Sequence, residues 1–166
     1  MATAENLKAA FAGESQANRT YLAFAKKAEK DGFPGVARLF RAVAEAETVH
    51  AHAHFRVMGG PQATAGNLRT AIAGEAHEFQ TMYPEFLQTA EAAGEKAAAL
   101  SFRYALAVEK IHHGMYSEAL AAIEAGRDVA AGEYHVCPVC GYTVHGAPDD
   151  KCPICGLAHD KFTKVA

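Results

Sequence analysis

The feature that most constrains this chain is a pair of helical segments that each end in a glutamate and a histidine three residues apart. The segments FRAVAEAETVH (40–50) and FRYALAVEKIH (102–112) both begin with Phe-Arg and end with Glu-x-x-His. A second pair, LKAAFAGE (7–14) and LRTAIAGE (68–75), repeats in the same order. The chain is therefore interpreted as two copies of one helical hairpin, of which the second is longer by about one residue near Pro84.

Helical periodicity extends well beyond these segments. Apolar residues recur at helical spacing between glycine and proline stops, which predicts four helices at about 4–31, 35–58, 65–93 and 95–125. Alanine supplies much of the hydrophobic content, which favours helices over sheet. Pro84 lies inside the third helix and should kink it, because proline cannot donate a backbone hydrogen bond. Four helices joined by short turns predict a mainly α fold built as a four-helix bundle.

Charge and hydropathy exclude several classes of partner. The formal net charge of −3 gives no sign of nucleic-acid or membrane binding. The start of the chain, MATAENLKAA, has no charged segment followed by an apolar block, and no stretch approaches the roughly 18 apolar residues of a membrane span. We therefore expect a cytoplasmic protein.

Each predicted helix carries one glutamate at the same level of its apolar stripe. These are Glu14, Glu47, Glu75 and Glu109. An unpaired buried carboxylate costs several kcal/mol, so the ordinary alternative is a set of core-edge glutamates that pair with Arg or Lys. The facing stripes supply no matching cations, but they do supply the imidazoles of His50 and His112. This combination favours a bound metal.

The set of ligands also matches a known kind of site. Residues three apart on a helix lie within about 60° of each other, so both can reach one ion. One Glu from each of two helices, with Glu-x-x-His from the other two, is the ligand set of di-iron and di-manganese carboxylate bundles. The two copies differ at Glu78, which aligns with Ala17 and lies three residues after Glu75. A fifth carboxylate is therefore predicted on one side of the site.

The last thirty or so residues have a different character and hold every cysteine of the chain. Cys-Pro-x-Cys-Gly occurs twice, which places Cys137, Cys140, Cys152 and Cys155 in two pairs. Without a secretion signal such pairs suggest a metal site before disulfides, and four thiolates bind one tetrahedral metal. From spacing alone structural zinc is the commoner answer, with a single redox-active iron as the alternative.

Taken together, the chain resembles the rubrerythrin family over essentially its whole length. The matching motifs are AGESQANRTY (12–21), AETVH (46–50), AGEAHEFQTMYPEF (73–86), AVEKIH (107–112), CPVCGY and CPICG. The resemblance implies a ferritin-like di-iron bundle over 1–131 and a rubredoxin-like domain over 132–166, in which it favours iron over zinc. It also implies a non-haem di-iron peroxidase that reduces hydrogen peroxide to water in oxidative-stress defence.

The same resemblance implies a role for each ligand. Glu47 and Glu109 would bridge the two irons, Glu14 would be a terminal ligand of one iron, and Glu75 with His112 would hold the other.

Four more positions receive catalytic roles from the family. The first iron would exchange His50 for Glu78 when it is oxidised, which makes Glu78 a redox-dependent ligand. Tyr21 and Tyr83 match tyrosines that hydrogen-bond the ligand carboxylates, with ordinary core tyrosines as the alternative. The other histidines are expected to be surface or neighbouring residues.

The expected partners follow from this function. Electrons would pass from an external donor, a reductase or free rubredoxin, through the Cys₄ iron to the di-iron site. The alternatives are a ferritin-like ferroxidase or iron-handling protein, and a zinc ribbon that binds a partner. The short connection 59–66 strains a single-chain bundle, which favours a two-fold homodimer, either unswapped or with helices three and four exchanged between its chains. We also expect each Cys₄ tail to serve the partner's di-iron site, because its own lies far along the fourth helix.

Overall fold

Helices make up most of the chain in the computed structural model, which describes residues 2–165. They are α1 (Ala2–Lys30), α2 (Pro34–Val57), α3 (Thr64–His77), α4 (Tyr83–Ala92) and α5 (Lys96–Glu124). The mainly α fold class with a small C-terminal ribbon is confirmed. Among the described residues, no helix is long and apolar enough to span a membrane. The chain divides between Gln62 and Ala63 into two compact units, while the domain boundary predicted at 131/132 stays a prediction.

The first unit is the hairpin of α1 and α2. Gly32 has φ +84°, a left-handed conformation that glycine adopts without steric cost, and it ends α1. Pro34 then occupies the first turn of α2, where its missing N–H leaves no helical bond unmade. The two helices meet through buried alanines, which allow close approach; these are Ala25, Ala28, Ala37, Ala44 and Ala51.

The second unit repeats the contacts of the first, which supports the interpretation of the sequence as a duplication. The ring centroids of Phe24 and Phe40 lie 5.5 Å apart, and those of Phe86 and Phe102 lie 5.6 Å apart. Each repeat also has an ion pair between its helices. These pairs are Arg41 with Glu29 at 2.6 Å and Arg103 with Glu91 at 2.7 Å. All of these residues are related by the same shift along the sequence.

The extra residue of the second copy lies in a π-helical turn, Glu78–Met82, that joins α3 to α4. Within this wider turn the backbone N–H of Tyr83 donates to the carbonyl oxygen of Glu78, five residues earlier. The offset in residue number between matching positions of the two repeats is larger by one at Tyr83 than at Glu75. The additional residue therefore lies between these two positions, which enclose the turn. The sequence prediction of an irregularity at Pro84 is therefore corrected: it begins at Glu78, because the turn before the proline absorbs the additional residue.

The C-terminal tail belongs to the second unit. Its three strands are β1 (Tyr134–Val136), β2 (Thr143–His145) and β3 (Thr163–Val165), which form an antiparallel sheet in the order β2-β1-β3. The linker returns the tail along α5, so that β2 contacts this helix and Gly141 lies over the fully buried Val108. The expectation that the tail lies far from His112 on its own α5 is wrong, because the chain after α5 turns back along the helix instead of continuing beyond its end.

Candidate metal centres

The first carboxylate–histidine cluster lies on the α1–α2 hairpin. It consists of Glu14, Glu47 and His50, whose ligand atoms lie within 4.8 Å of one another. His50 Nδ1 lies 2.9 Å from Glu47 Oε2, which is the arrangement that Glu-x-x-His spacing predicts for two side chains facing one point. The Glu47 side chain is 15% exposed, whereas that of His50 is 57% exposed. This unit therefore supplies three of the seven helical ligands predicted from the sequence.

A polar contact between α1 and α2 holds this cluster in place. The amide of Asn18 donates to the carbonyl oxygen of Ala44 at 2.6 Å and to Thr48 Oγ1 at 2.9 Å. Asn18 lies one turn after Glu14, and Thr48 is adjacent to Glu47. The contact therefore fixes α1 against α2 at the level of the ligands. The only sequence signal was the position of a polar Asn within an apolar stripe.

The second carboxylate–histidine cluster lies in the other unit and reproduces the first. Glu75 on α3 meets Glu109 and His112 on α5, and their ligand atoms also lie within 4.8 Å of one another. His112 Nδ1 lies 2.8 Å from Glu109 Oε2. These two side chains are 25% and 17% exposed respectively, so His112 is more enclosed than His50.

The carboxylates of the second cluster are crowded in a way that a bound cation would relieve. Within residues 2–165, Glu75 Oε2 is buried and has no hydrogen-bond partner. Burial, and then the neighbouring Glu109 carboxylate, raise the pKa of Glu75 from 4.5 to about 7. Burial followed by Glu109 also raises the pKa of Glu78. Like charges close together disfavour ionisation, and a divalent ion reverses that effect. The donor set therefore fits a metal.

The remaining predicted residues fall into different surroundings. Glu78 starts the π-helical turn and lies beside the second cluster, although it is outside the triad of closest ligand atoms. Burial, and then the charges of Glu78, Glu109 and Glu75, raise the pKa of Tyr83, which places this phenol near the carboxylates. Tyr21, its counterpart in the first repeat, packs with the rings of Phe24 and Phe40, as an ordinary core tyrosine would.

The four cysteines converge as predicted. The sulfurs of Cys137 and Cys155 lie 3.5 Å apart, those of Cys140 and Cys152 lie 3.4 Å apart, and all four lie within 4.8 Å of one another. Metal–sulfur bonds of about 2.3 Å in a tetrahedron place sulfurs about 3.8 Å apart, so these thiols surround a space of the right size.

The two halves of the Cys₄ site have the same backbone. In each knuckle the N–H of the glycine after the second cysteine donates to the carbonyl oxygen of the first cysteine at 2.9 Å. Gly141 and Gly156 both have positive φ, as such a turn requires. Burial opposes ionisation of Cys152, but hydrogen bonds from the backbone N–H groups of Cys155 and Ile154, together with those from the Cys140 and Cys155 thiols, outweigh it and lower its pKa to about 7. N–H groups directed at a sulfur favour the thiolate, which is the form that binds metal.

The remaining histidines that have described partners make other contacts. His113 packs against the ring of Phe79, and His145 packs against that of Tyr134. His135 is hydrogen-bonded through Nδ1 to the carbonyl oxygen of Gly146. Among the described residues, the close clusters of metal-binding side chains contain no histidine besides His50 and His112.

The helices and sites define a class of protein: a metalloprotein whose helices carry a duplicated carboxylate–histidine centre and whose tail is a four-cysteine ribbon. Comparison with known families agrees. A model of the rubrerythrin family matches residues 5–120, and a model of the rubredoxin-like domain of rubrerythrin matches 135–163. This chain belongs to the rubrerythrin family, whose members are oxidoreductases, and its two kinds of cluster are accordingly sites for iron.

Individual relatives match nearly end to end. Rubrerythrin-2 of Clostridium acetobutylicum is 38% identical, with 96% of this chain and 95% of that protein covered. Nigerythrin of Nitratidesulfovibrio vulgaris is 37% identical, with 97% of this chain and 85% of that protein covered. A solved structure of nigerythrin in a partially reduced state superposes with a TM-score of 0.60 at 35% identity, covering 98% of this chain and 86% of the other. Another describes nigerythrin in a fully reduced, all-ferrous state.

Proposed function

We propose that this protein is a non-haem di-iron peroxidase that reduces hydrogen peroxide to water in the cytoplasm, as part of oxidative-stress defence. The observation that carries the proposal is the position of the Cys₄ tail, which packs on α5 and brings Thr143 within 3.0 Å of His112. An iron-storage protein has no need of a one-electron metal site held against its di-iron ligands. A peroxidase that must be re-reduced after each turnover does.

The two clusters together would hold the two irons, with the Cys₄ iron as the electron relay. Two ferrous ions at such a centre supply the two electrons that cleavage of the peroxide O–O bond requires. Glu47 and Glu109, each in contact with the histidine of its own cluster, would be the carboxylates shared by the two ions. Glu14 would be a terminal ligand on one side, and Glu75 with His112 on the other.

The surrounding residues of the chain would supply protons and adjust the ligands. Reduction of one peroxide to two waters consumes two protons. Glu78 lies next to Glu109 and begins a π-helical turn, so its backbone is not locked in a regular helix. We assign it to proton transfer and to exchange with His50, the more exposed of the two histidine ligands. Tyr83 would hydrogen-bond the carboxylates from the other side.

The functional unit would be a homodimer. Each compact unit carries one cluster, so a complete di-iron centre needs both units, taken from one chain or from two. The connection from Val57 to Thr64 is short. Short connections favour exchange of elements between chains, and we therefore include a helix-swapped dimer in the proposal. An external donor, a reductase or a rubredoxin, would reduce the Cys₄ iron.

Rapid mixing tests this function directly. The fully reduced protein is mixed with hydrogen peroxide or with dioxygen, and oxidation of the di-iron centre is followed by absorbance. We expect much faster oxidation by peroxide. A Glu109→Ala chain serves as the control that retains the tail and lacks the centre. Faster reaction with dioxygen, or many irons bound per chain, would instead support a ferroxidase.

A further inference from the structure

We propose that Thr143, in the Cys₄ tail, is a positioning residue for His112 on α5. Its hydroxyl holds the imidazole in the tautomer and orientation in which Nδ1 faces the metal. The inference rests on the proposed function, because it takes His112 to be an iron ligand. It adds a residue from the tail to the machinery of the di-iron centre.

The hydrogen bonds around Thr143 fit one direction when a metal ion is held by His112 Nδ1, because Nε2 must then carry the proton. Thr143 Oγ1 donates its proton to the carbonyl oxygen of Gly141 at 3.0 Å. His112 Nε2 lies 3.0 Å from the same oxygen. A hydroxyl has only one proton to donate, so once Gly141 accepts it, Oγ1 accepts a hydrogen bond from Nε2–H. The proton of the neutral imidazole then resides on Nε2, and Nδ1 keeps its lone pair.

On the other side of the ring, a metal ion bound between His112 Nδ1 and the carboxylates of the second cluster would accept that lone pair. His112 Nδ1 lies 2.8 Å from Glu109 Oε2, at the point where the ligand atoms of the second cluster converge. A ligating histidine commonly donates its other N–H to a fixed acceptor, which sets the tautomer and the ring orientation and strengthens the ligand. Thr143 occupies that acceptor position. His112 is accordingly the better-enclosed histidine, whereas His50 is more than half exposed.

The position of the hydroxyl depends on the fold of the tail. Thr143 begins β2, three residues after Cys140, and its acceptor Gly141 is the positive-φ glycine of the same knuckle. A Cβ at Gly141 would lie 3.8 Å from Val108 Cγ1, so the knuckle is in contact with α5 at this point. The segment of the tail that orients His112 is therefore the same segment that contributes cysteines to the Cys₄ site.

Two substitutions at one position separate the hydroxyl from the bulk of the side chain. Thr143→Val removes the oxygen and keeps the shape, and Thr143→Ser keeps the oxygen. Thr163→Val makes the same change at an exposed position of β3 and is the matched control. The full-length chain, with zinc already bound at the Cys₄ site, is titrated with further zinc against a competing chelator. Nitrogen NMR of the histidine rings in the same diamagnetic protein reports Nδ1 coordination and the exchange of the Nε2 proton.

In the wild type we expect zinc on Nδ1 of His112 and a slowly exchanging Nε2 proton. Thr143→Val should weaken zinc binding at the helical site by about tenfold and accelerate that exchange, as loss of such a partner does elsewhere. Thr143→Ser and Thr163→Val should resemble the wild type. Wild-type affinity and exchange in Thr143→Val, or equal losses in the valine and serine variants, would overturn the role of the hydroxyl. If zinc does not reach His112 in the wild type itself, the proposed metal function fails instead.

Discussion

A pair of inactive chains can report whether the helices are exchanged between subunits. The first cluster lies entirely before Gln62 and the second entirely after Ala63. A Glu47→Ala chain therefore damages only the first cluster, and a Glu109→Ala chain only the second. Each variant alone should lack an intact di-iron centre in either arrangement. In a swapped heterodimer, however, one centre combines the two damaged clusters and the other combines the two intact ones.

The expected magnitude follows from counting centres. If the helices are swapped, a purified heterodimer of Glu47→Ala and Glu109→Ala chains should regain one of its two di-iron centres. It should then show about half of the wild-type peroxidase activity and about half of the wild-type iron content of the di-iron centres. The two chains are co-expressed with different affinity tags, and the doubly tagged species is isolated. A heterodimer of a wild-type chain with a Glu47→Ala chain keeps one intact centre whether or not the helices are swapped. Its activity is therefore the reference value for a dimer with one working centre. No recovery in the double-variant heterodimer, alongside half activity in that control, would refute the swap.

Three further predictions concern single residues. Val108→Ala removes two buried methyl groups beneath Gly141, so it should lower the free energy of unfolding by about 2 kcal/mol in denaturant titrations. The control Val57→Ala, at an exposed site, should change it little. Equal losses in the two variants would contradict the packing of the tail on α5. Glu78→Ala should still bind two irons but turn over more slowly in peroxide assays, and wild-type turnover would exclude ligand exchange. Ionisation of Glu75 should destabilise the metal-free fold as the pH rises from 4.5 through about 7, because its folded pKa is raised. Glu75→Gln should therefore raise the urea midpoint of metal-free protein at alkaline pH while weakening metal binding, and an unchanged midpoint would contradict this account.

The sequence predicted the convergence of these side chains because their geometry is local. A spacing of three residues along a helix is sufficient to bring Glu109 and His112 together. Glu47 and His50 have the same spacing in the first repeat and meet in the same way. The cysteine knuckles are equally local, since each is a single turn closed by a glycine.

The missed features depend on tertiary packing or on backbone adjustments. The contact between Thr143 and His112 arises only when the tail folds back along α5, and nothing in either segment alone indicates that docking. The π-helical turn from Glu78 was visible as one additional residue, but a length difference does not say which turn absorbs it. Asn18 appeared as a polar residue in an apolar stripe, and its partners on α2 became clear only in the folded hairpin.

The most direct test of the account asks whether electrons pass from the Cys₄ iron to the di-iron centre. Fully reduced protein with iron at both sites is mixed with a small excess of hydrogen peroxide over the three electrons that its irons can supply, and the visible absorbance of the ferric Cys₄ iron is followed over time. We predict rapid oxidation of this iron in the wild type, and none on the same timescale in Glu109→Ala, whose tail is intact but whose centre is damaged. Equally fast appearance of the ferric Cys₄ signal in Glu109→Ala would mean that peroxide oxidises the tail directly, and would contradict the relay.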